Sequence, residues 1–255
     1  MTMWTRMLAA VATVCIGAAT TAVAAEITIL SSPNVQPEMD AVIPAFERAG
    51  GHKVSISYLV TPALIKRVED GARMDIAILF TETMDRFVQT TKIPVGNRFD
   101  ILQSGIGAVV RAGARKPDIG SVAAFRNALL DAKSVAFSQG PTGVHMASVV
   151  QRLGIADPLK GKTIVTDSGI GGVGKAVANG NAEIGIHGTY ELLSVAGIDF
   201  IGPIPGELQK MMVYSAIIPA SAKETEPATS LLKFLSSDIA IPLIRQKGME
   251  PIAIR

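Results

Sequence analysis

The sequence predicts an α/β fold with two lobes, each a sheet flanked by helices, joined by a two-strand hinge. Short apolar segments alternate with amphipathic segments of helical period in two separate parts of the chain, which favours mostly parallel sheets covered by helices on both faces. Two longer extended runs, near 101–108 and 212–217, bracket the second part and are the predicted hinge. The first lobe is then discontinuous, at 25–105 and 214–255, and the second is inserted at 106–213.

The N-terminus has the pattern of an export signal, which we assign to residues 1–24. Arg6 supplies positive charge, residues 7–19 are apolar, and Ala22-Val23-Ala24 fits a small-x-small cleavage site. The apolar run is shorter than the roughly 20 residues that a membrane-spanning helix needs. We therefore expect cleavage near Ala24 and an exported mature chain, with a membrane anchor as the alternative.

The composition is that of a globular protein and excludes several classes of function. Hydrophobic residues make up 48% of the chain and charged residues 18%, which argues against disorder. The net charge is +2 and no basic run is present, so no nucleic-acid partner is expected. The one cysteine, Cys15, lies in the export signal. The mature chain therefore lacks a thiol for a disulfide, a cysteine metal site or nucleophilic catalysis.

The first strand follows the export signal directly and ends in small polar residues. Glu26 to Ser32 is rich in β-branched residues and stops at Pro33. Helical and strand patterns then alternate in the order βαβαβ. The further elements are helices at 37–49 and 63–71 and strands at 54–60 and 75–80.

The second part of the chain repeats the alternation after the extended run at 97–111 and a helix at 121–131. It contains three strand-turn-helix units and is followed by two C-terminal helices. Its strands are at 134–137, 163–166 and 182–186, its helices at 144–153, up to Ala178 and up to Val195, and the C-terminal helices at 225–236 and 239–247.

Polar residues at strand ends and in turns are the candidate ligand-binding groups, because ligands of such sheets bind beyond the carboxyl ends of the strands. Hydroxyl and backbone N–H groups that converge there suit an anion. The candidates are Ser31, Ser32, Thr61, Phe80, Gly140, Thr142, Gly143, Gly169, Gly171 and His187. For Ser31, Ser32 and Thr61, a role as helix N-caps is the open alternative. For residues 140–143, the alternative is a turn that only starts a helix.

No cofactor and no metal site is expected. Gly169-x-Gly171-x-x-Gly174 matches a dinucleotide fingerprint by spacing, but Glu183 comes only nine positions after Gly174, whereas the ribose-binding acid should follow by about 20. The histidines have no metal-like spacing. No Gly-x-Ser-x-Gly elbow is present, and no Ser-His-Asp arrangement can be assembled.

Several segments of the mature chain carry a resemblance to a known family. They are Ile27–Ser32, Phe46-Glu47, Arg73–Ile78, Asn97-Arg98, Gly140–Gly143, Ala182–Ile186 and Ala228–Gly248. Together they resemble the type II periplasmic solute-binding proteins of ABC transporters, in their molybdate-binding-protein-like branch. The resemblance covers nearly the whole mature chain. It implies a two-lobed fold that closes on its solute, a location in the periplasm, a monomer, and a membrane permease as partner.

The same resemblance bears on the ligand. Molybdate binders of this family hold the oxyanion with serine hydroxyls and backbone amides of the first two strand ends, together with the other lobe. Ser31 or Ser32 matches the first strand end, but the second reads Leu59–Ala63 and loses a backbone donor at Pro62. His187 and His145 suit a planar carboxylate, through charge-assisted hydrogen bonds. A small organic carboxylate is therefore the preferred ligand, and a molybdate-like oxyanion is the alternative.

Two functions remain open at this point. The preferred one is the solute receptor of an ABC transporter, which performs no chemistry. The rival is a periplasmic isomerase of a small unsaturated tricarboxylate, similar to aconitate isomerase, in which His187 or His145 is the general base. A carboxylate partner of either histidine, with Glu191 and Asp167 as candidates, would favour the isomerase, because a receptor requires none.

Overall fold

The computed structural model describes residues 24–167 and 171–254, which form two mixed sheets, each with helices packed on it. In this part of the chain the strands are β1 (Glu26–Ser31), β2 (Lys53–Tyr58), β3 (Ile76–Phe80), β4 (Val95–Ser104), β5 (Ile106–Arg111), β6 (Val135–Ser138), β7 (Thr163–Thr166), β8 (Ile184–Gly188), β9 (Ile198–Pro203), β10 (Met212–Pro219) and β11 (Glu250–Pro251). The helices are α1 (Gln36–Gly50), α2 (Thr61–Glu69), α3 (Thr81–Thr91), α4 (Val122–Asp131), α5 (Pro141–Arg152), α6 (Ala156–Leu159), α7 (Gly172–Ala178), α8 (Thr189–Leu192), α9 (Thr225–Phe234) and α10 (Ala240–Gln246).

The two sheets define two lobes. The first lobe is the sheet with the order β11-β4-β10-β3-β1-β2 and its helices, and the second lobe is the sheet with the order β7-β6-β8-β5-β9 and its helices. In the first lobe β1 runs parallel to both β2 and β3, and in the second β6 runs parallel to both β7 and β8. Each lobe therefore has one edge at which the carboxyl ends of three parallel strands meet.

The chain passes between the lobes at two adjacent places. It leaves the first sheet at Gly105, between β4 and β5, and returns between β9 and β10. The side chain of Gln209 holds the two crossings together, because its Oε1 accepts from the backbone N–H of Ile106 at 2.6 Å and its Nε2 donates to the carbonyl of Ile106 at 2.9 Å. The extended run at 212–217 lies wholly in the first sheet, as part of β10.

Hydrophobic side chains pack on both faces of each sheet. In the first lobe, Ile27 and Ile29 of β1 face one cluster, and Leu30 of the same strand faces another. This alternation is what a period of two produces in a strand covered on both faces. One member of the first cluster, Tyr190, comes from α8 of the second lobe. The lobes therefore share part of a core at their seam.

Several elements differ from the sequence prediction. The segments that became α3, α6, β9 and β11 were not predicted as regular structure. Helix α3 follows β3 directly, and its N-cap Phe80 has no capping side chain, so the usual start signal is missing. Helix α5 starts at Pro141 instead of 144, because proline is well suited to the first helical position. Among the helices described in 24–167 and 171–254, none is long and apolar enough to cross a membrane.

Candidate functional site

The end of β1 lies at the carboxyl edge of the first sheet. Ser31 is fully buried and is in register with Tyr58 of β2 and Ile78 of β3. The N–H of Ser32 donates to the carbonyl of Ile78 at 2.8 Å, and its Oγ accepts from the N–H of Asn34 at 3.3 Å. Ser32 therefore caps the short helical turn that follows it, which is the N-cap role given above as the alternative to ligand binding.

The other two candidates of the first lobe lie at the same edge. Thr61 is the first residue of α2, and the N-cap position is occupied by Val60, so Thr61 is not the cap. Phe80 ends β3 and packs edge-on against Tyr214, with ring centroids 5.7 Å apart. Phe80 thus faces the seam between the lobes.

The turn at 140–143 begins α5 and packs on the end of β6. Thr142 and Gly143 are buried in the first turn of the helix, where backbone N–H groups have no intrahelical acceptor. A Cβ atom on Gly143 would overlap the carbonyl oxygen of Ser138. Only glycine allows α5 to start this close to the strand.

The glycine-rich segment before α7 is described from Gly171 onward, so Gly169 lies outside the described residues. Gly171 has a left-handed backbone (φ 75°) at the N-cap of α7, a conformation that favours glycine. Its N–H donates to Oε2 of Glu191 at 3.3 Å. The amide of Gly171 thus holds a protein carboxylate in place.

At the carboxyl edge of the second sheet, His187 lies between a hydroxyl and a carboxylate. Its Nε2 is 3.0 Å from Oγ of Ser138, at the end of the neighbouring strand β6, and its Nδ1 is 3.5 Å from Oε2 of Glu191. All three side chains are buried. Burial lowers the pKa of His187, and the charge of Glu191 offsets part of that shift. The imidazole is therefore neutral at pH 7.

The neighbours of this neutral ring bear on its tautomer. Nδ1 is buried without a hydrogen-bond partner in the described residues, and Oε2 of Glu191 lies 3.5 Å from it. A proton on Nδ1 would face this carboxylate, and Nε2 would then accept from the hydroxyl of Ser138. A hydroxyl, an imidazole and a carboxylate in this order can relay a proton. Because Nδ1 has no hydrogen-bond partner in the described part of the chain, no complete Ser-His-carboxylate triad is formed there, and the expectation that none can be assembled stays a prediction. Ser138 is separated by 49 residues from His187 in sequence and adjoins it only through the pairing of β6 with β8.

A chain of hydrogen bonds continues from Glu191 across the seam. Tyr190 donates to Oε1 of Glu191 at 3.0 Å, Tyr214 donates to Tyr190 at 3.0 Å, and Asn34 donates to Tyr214 at 3.1 Å. Burial raises the pKa of Tyr214 to about 12 and that of Tyr190 well above its usual value. Both hydroxyls therefore remain protonated donors. Asn34 follows Ser32, so the chain joins the strand ends of the two lobes.

His145 lies apart from this arrangement. Its Nε2 is 2.8 Å from the carbonyl oxygen of Leu208, and since a carbonyl only accepts, Nε2 carries the proton. The ring lines a cavity of about 540 Å³ together with Glu82 and Lys210, whose side chains form an ion pair at 2.8 Å. Among the described contacts, Asp167 meets neither histidine. Of the two predicted carboxylate partners, only Glu191 adjoins a histidine.

The two carboxyl edges face each other, since the chain from Asn34 to Glu191 links them directly. Two lobes of this kind, connected by two crossings and with polar groups of both at the seam, define a two-lobed solute-binding protein.

The chain belongs to the bacterial extracellular solute-binding protein family, which matches residues 27–250. Within it, the chain is of the molybdate-binding-protein-like, type II branch. Aconitate isomerase of a Pseudomonas species is 32% identical over 234 residues, which cover 89% of this chain and 88% of that protein. The molybdate-binding protein ModA of Azotobacter vinelandii is 25% identical over 234 residues, which cover 88% of this chain and 90% of that protein.

A solved structure confirms the predicted fold class. A substrate-binding domain of a molybdenum ABC transporter from Clostridium difficile superposes with a TM-score of 0.76 at 17% identity, over 90% of this chain and 100% of that one. At this identity the likeness concerns the fold alone. The predicted two-lobed α/β fold of type II is thus the fold of this chain.

Proposed function

We propose that the mature chain is a periplasmic protein that binds a small organic carboxylate between its lobes. The observation that carries this proposal is the position of His187, a neutral ring between Ser138 and Glu191 at the cleft edge of β8. The protonation state of a histidine in such a position can change with the charge of the ligand. A site that holds an oxyanion by neutral hydroxyls and amides does not require an ionisable histidine.

The first lobe supports a carboxylate over a tetrahedral oxyanion. The N–H of Ser32 is already bonded to the carbonyl of Ile78, and the hydroxyl of Ser31 donates to the carbonyl of Ser32 at 3.1 Å. Pro62, at the second strand end, has no N–H to offer. The first lobe therefore has fewer free donors than a tetrahedral oxyanion without counter-charges would need.

Anion binding would couple to a proton. A carboxylate near Ser138 favours the charged form of His187, in which Nδ1 donates to Glu191 and Nε2 donates to Ser138. The hydroxyl hydrogen of Ser138 is then released to the ligand. Binding would take up a proton and would tighten as the pH falls. Calorimetric titration in two buffers of different ionisation enthalpy measures this uptake directly.

We assign the transport role on the same basis. The export signal at 1–24 would deliver the chain to the periplasm after cleavage near Ala24. The lobes at 25–105 with 214–255, and at 106–213, would close on the ligand about the crossings. The closed form is favoured because only it contacts the ligand from both sides. That form would be presented, as a monomer, to the permease of an ABC transporter.

A second function, isomerisation of an unsaturated tricarboxylate, is favoured by the pairing of Glu191 with His187, with 3.5 Å between Oε2 and Nδ1. A receptor does not require this pairing. The relative that is 32% identical is an aconitate isomerase. In such a reaction the imidazole of His187, directly or through Oγ of Ser138, would take a proton from the substrate carbon. The double bond shifts, and the imidazolium returns the proton at the other end of the allylic system.

Thermal unfolding of the mature protein tests the ligand class. A ligand that binds only the folded state raises the melting temperature, so we expect shifts with di- and tricarboxylates such as citrate and trans-aconitate. Molybdate, tungstate, sulfate and phosphate form the comparison set. Stabilisation by molybdate or tungstate alone would contradict the proposal that the ligand is a carboxylate.

Deuterium exchange separates the receptor from the isomerase. The protein is incubated with trans-aconitate in D₂O, and NMR follows exchange at carbon and formation of the cis isomer. Under the isomerase hypothesis, exchange is lost in His187→Gln and kept in the matched variant His145→Gln. Binding without any exchange in the wild type would identify a receptor, and exchange that survives in His187→Gln would exclude this base.

A further inference from the structure

A cavity of about 540 Å³ lies between the start of α5 in the second lobe and the start of α3 in the first. The residues that line it and bear on the argument are Lys210, Glu82, His145, Gln139, Gly140 and Ser148. Gln139 and Gly140 directly follow Ser138 in the chain. The lining of the cavity thus begins one residue along the chain from Ser138, the partner of His187.

Lys210 is the one lysine or arginine that lines this cavity in the described part of the chain. It lies on the second crossing, between β9 and β10, and its Nζ is 2.8 Å from Oε1 of Glu82 in the first turn of α3. The side chains are 38% and 61% exposed. An exposed ion pair of this kind contributes little to stability. The carboxylate of Glu82 can therefore be exchanged for another at little cost.

The start of α5 also suits an anionic group, whereas His145 only shapes the cavity, since its one proton is already donated. The Nε2 proton of His145 is held by the carbonyl of Leu208 at 2.8 Å, which fixes the ring in place. The start of α5 contributes Gly140, next to the positive end of the helix dipole. In the described contacts, Glu82 is the carboxylate that pairs with Lys210, so it occupies the position that a ligand carboxylate would take.

We propose that Lys210 selects for ligands with more than one carboxylate. One carboxylate of the ligand lies at the Ser138 and His187 edge, and a second replaces Glu82 on Lys210. This inference rests on the proposed function, since it takes the ligand to be an organic carboxylate. The exchange keeps Lys210 paired and releases the already exposed Glu82 to water. A monocarboxylate or a compact oxyanion fills the first position only and gains nothing from Lys210.

Calorimetric titration with trans-aconitate tests the role of Lys210. Lys210→Met should weaken binding about tenfold or more, because it removes a charge-assisted contact. Lys210→Arg should stay within about threefold of the wild type, since the charge is kept. Glu82→Gln should bind more tightly than the wild type, because the competing carboxylate is gone. The advantage of trans-aconitate over crotonate, a monocarboxylate, should shrink in Lys210→Met by the same factor.

Lys66→Met is the matched control, because Lys66 also forms an exposed ion pair, at 2.9 Å with Asp70, but on α2. It should bind trans-aconitate as the wild type does. Urea midpoints of the unliganded variants show that each is folded. The inference is overturned if Lys210→Met binds trans-aconitate within twofold of the wild type, or if Glu82→Gln weakens binding as much as Lys210→Met. If the wild type itself binds no carboxylate, it is the proposed function that fails.

Discussion

The hydroxyl of Tyr214 in the first lobe donates to the hydroxyl of Tyr190 in the second, with 3.0 Å between the oxygens. The rings meet edge to face, with centroids 6.1 Å apart and planes at 84°. Both residues are buried in the core of the first lobe. On the other side of Tyr190, a Cβ on Gly248 would come within 2.8 Å of its Cα. This tightly packed pair joins the two lobes at their seam.

Removal of the Tyr214 hydroxyl should destabilise the protein. In Tyr214→Phe the half-buried amide of Asn34 loses its acceptor and the buried hydroxyl of Tyr190 loses a donor, which should cost about 1–3 kcal/mol of the free energy of unfolding. Urea denaturation measures the loss. Tyr58→Phe is the matched control, because its hydroxyl bonds at the exposed surface to Asp40 at 2.7 Å. Equal losses in the two variants would contradict a role for the buried pair.

The buried carboxyl of Glu38 should make stability fall as the pH rises. Both its oxygens are buried without a hydrogen-bond partner in the described residues. Burial raises its pKa from 4.5 to about 8, against the smaller opposing effects of its own backbone N–H and of the charge of Lys247. Because the unfolded chain releases this proton first, stability is lost between about pH 4.5 and 8.

Glu38→Gln keeps the shape of the side chain and removes its titration. The variant should be more stable than the wild type by on the order of 1–3 kcal/mol at pH 8, and the gain should shrink towards pH 5. Urea midpoints at the two pH values measure the difference. A gain that is the same at both pH values would show that the titration of Glu38 is not its cause.

His187 should give the opposite dependence on pH. Its folded-state pKa lies below the ordinary 6.5 because of burial, with Glu191 acting against the shift. The unfolded chain therefore takes up the proton first, and stability should fall as the pH drops from about 6.5 through the folded-state pKa. In His187→Gln this part of the acid loss should disappear, as followed by the melting temperature between pH 7.5 and 5. An unchanged slope in the variant would show that His187 does not titrate in this way.

The contact between α5 and β6 should depend on the absence of a side chain at Gly143. In Gly143→Ala the new methyl group would overlap the carbonyl oxygen of Ser138, and the required shift of the helix should cost about 2 kcal/mol or more. Gly161→Ala is the control, because no atom lies within 4 Å of its added Cβ. Gly143→Ala should also lose affinity for the ligand, since Ser138 is the partner of His187. Two variants of equal stability would argue against this tight contact.

Much of the fold is predictable from local patterns. The period of two in β1 and the buried run at β3 place Ser31 and Phe80 at strand ends. The start of α5 at Pro141 is less clear, because a Gly-Pro turn and a helix with proline in its first turn share the same residues. Helix α3 is missed because it has no capping side chain. The first of these errors is a boundary that one or two residues decide, and the second is a whole element.

The sequence by itself determined the α/β class, the family resemblance and the position of His187 at a strand end, because these depend on neighbours a few residues apart. Even the four-residue step from His187 to Glu191 could be suspected. Only the tertiary structure decided that Ser138 meets His187, that Tyr214 meets Tyr190, and that Lys210 reaches Glu82. These contacts depend on the order of strands in the sheets and on the packing of one lobe against the other. Neither leaves a periodic signal in the chain.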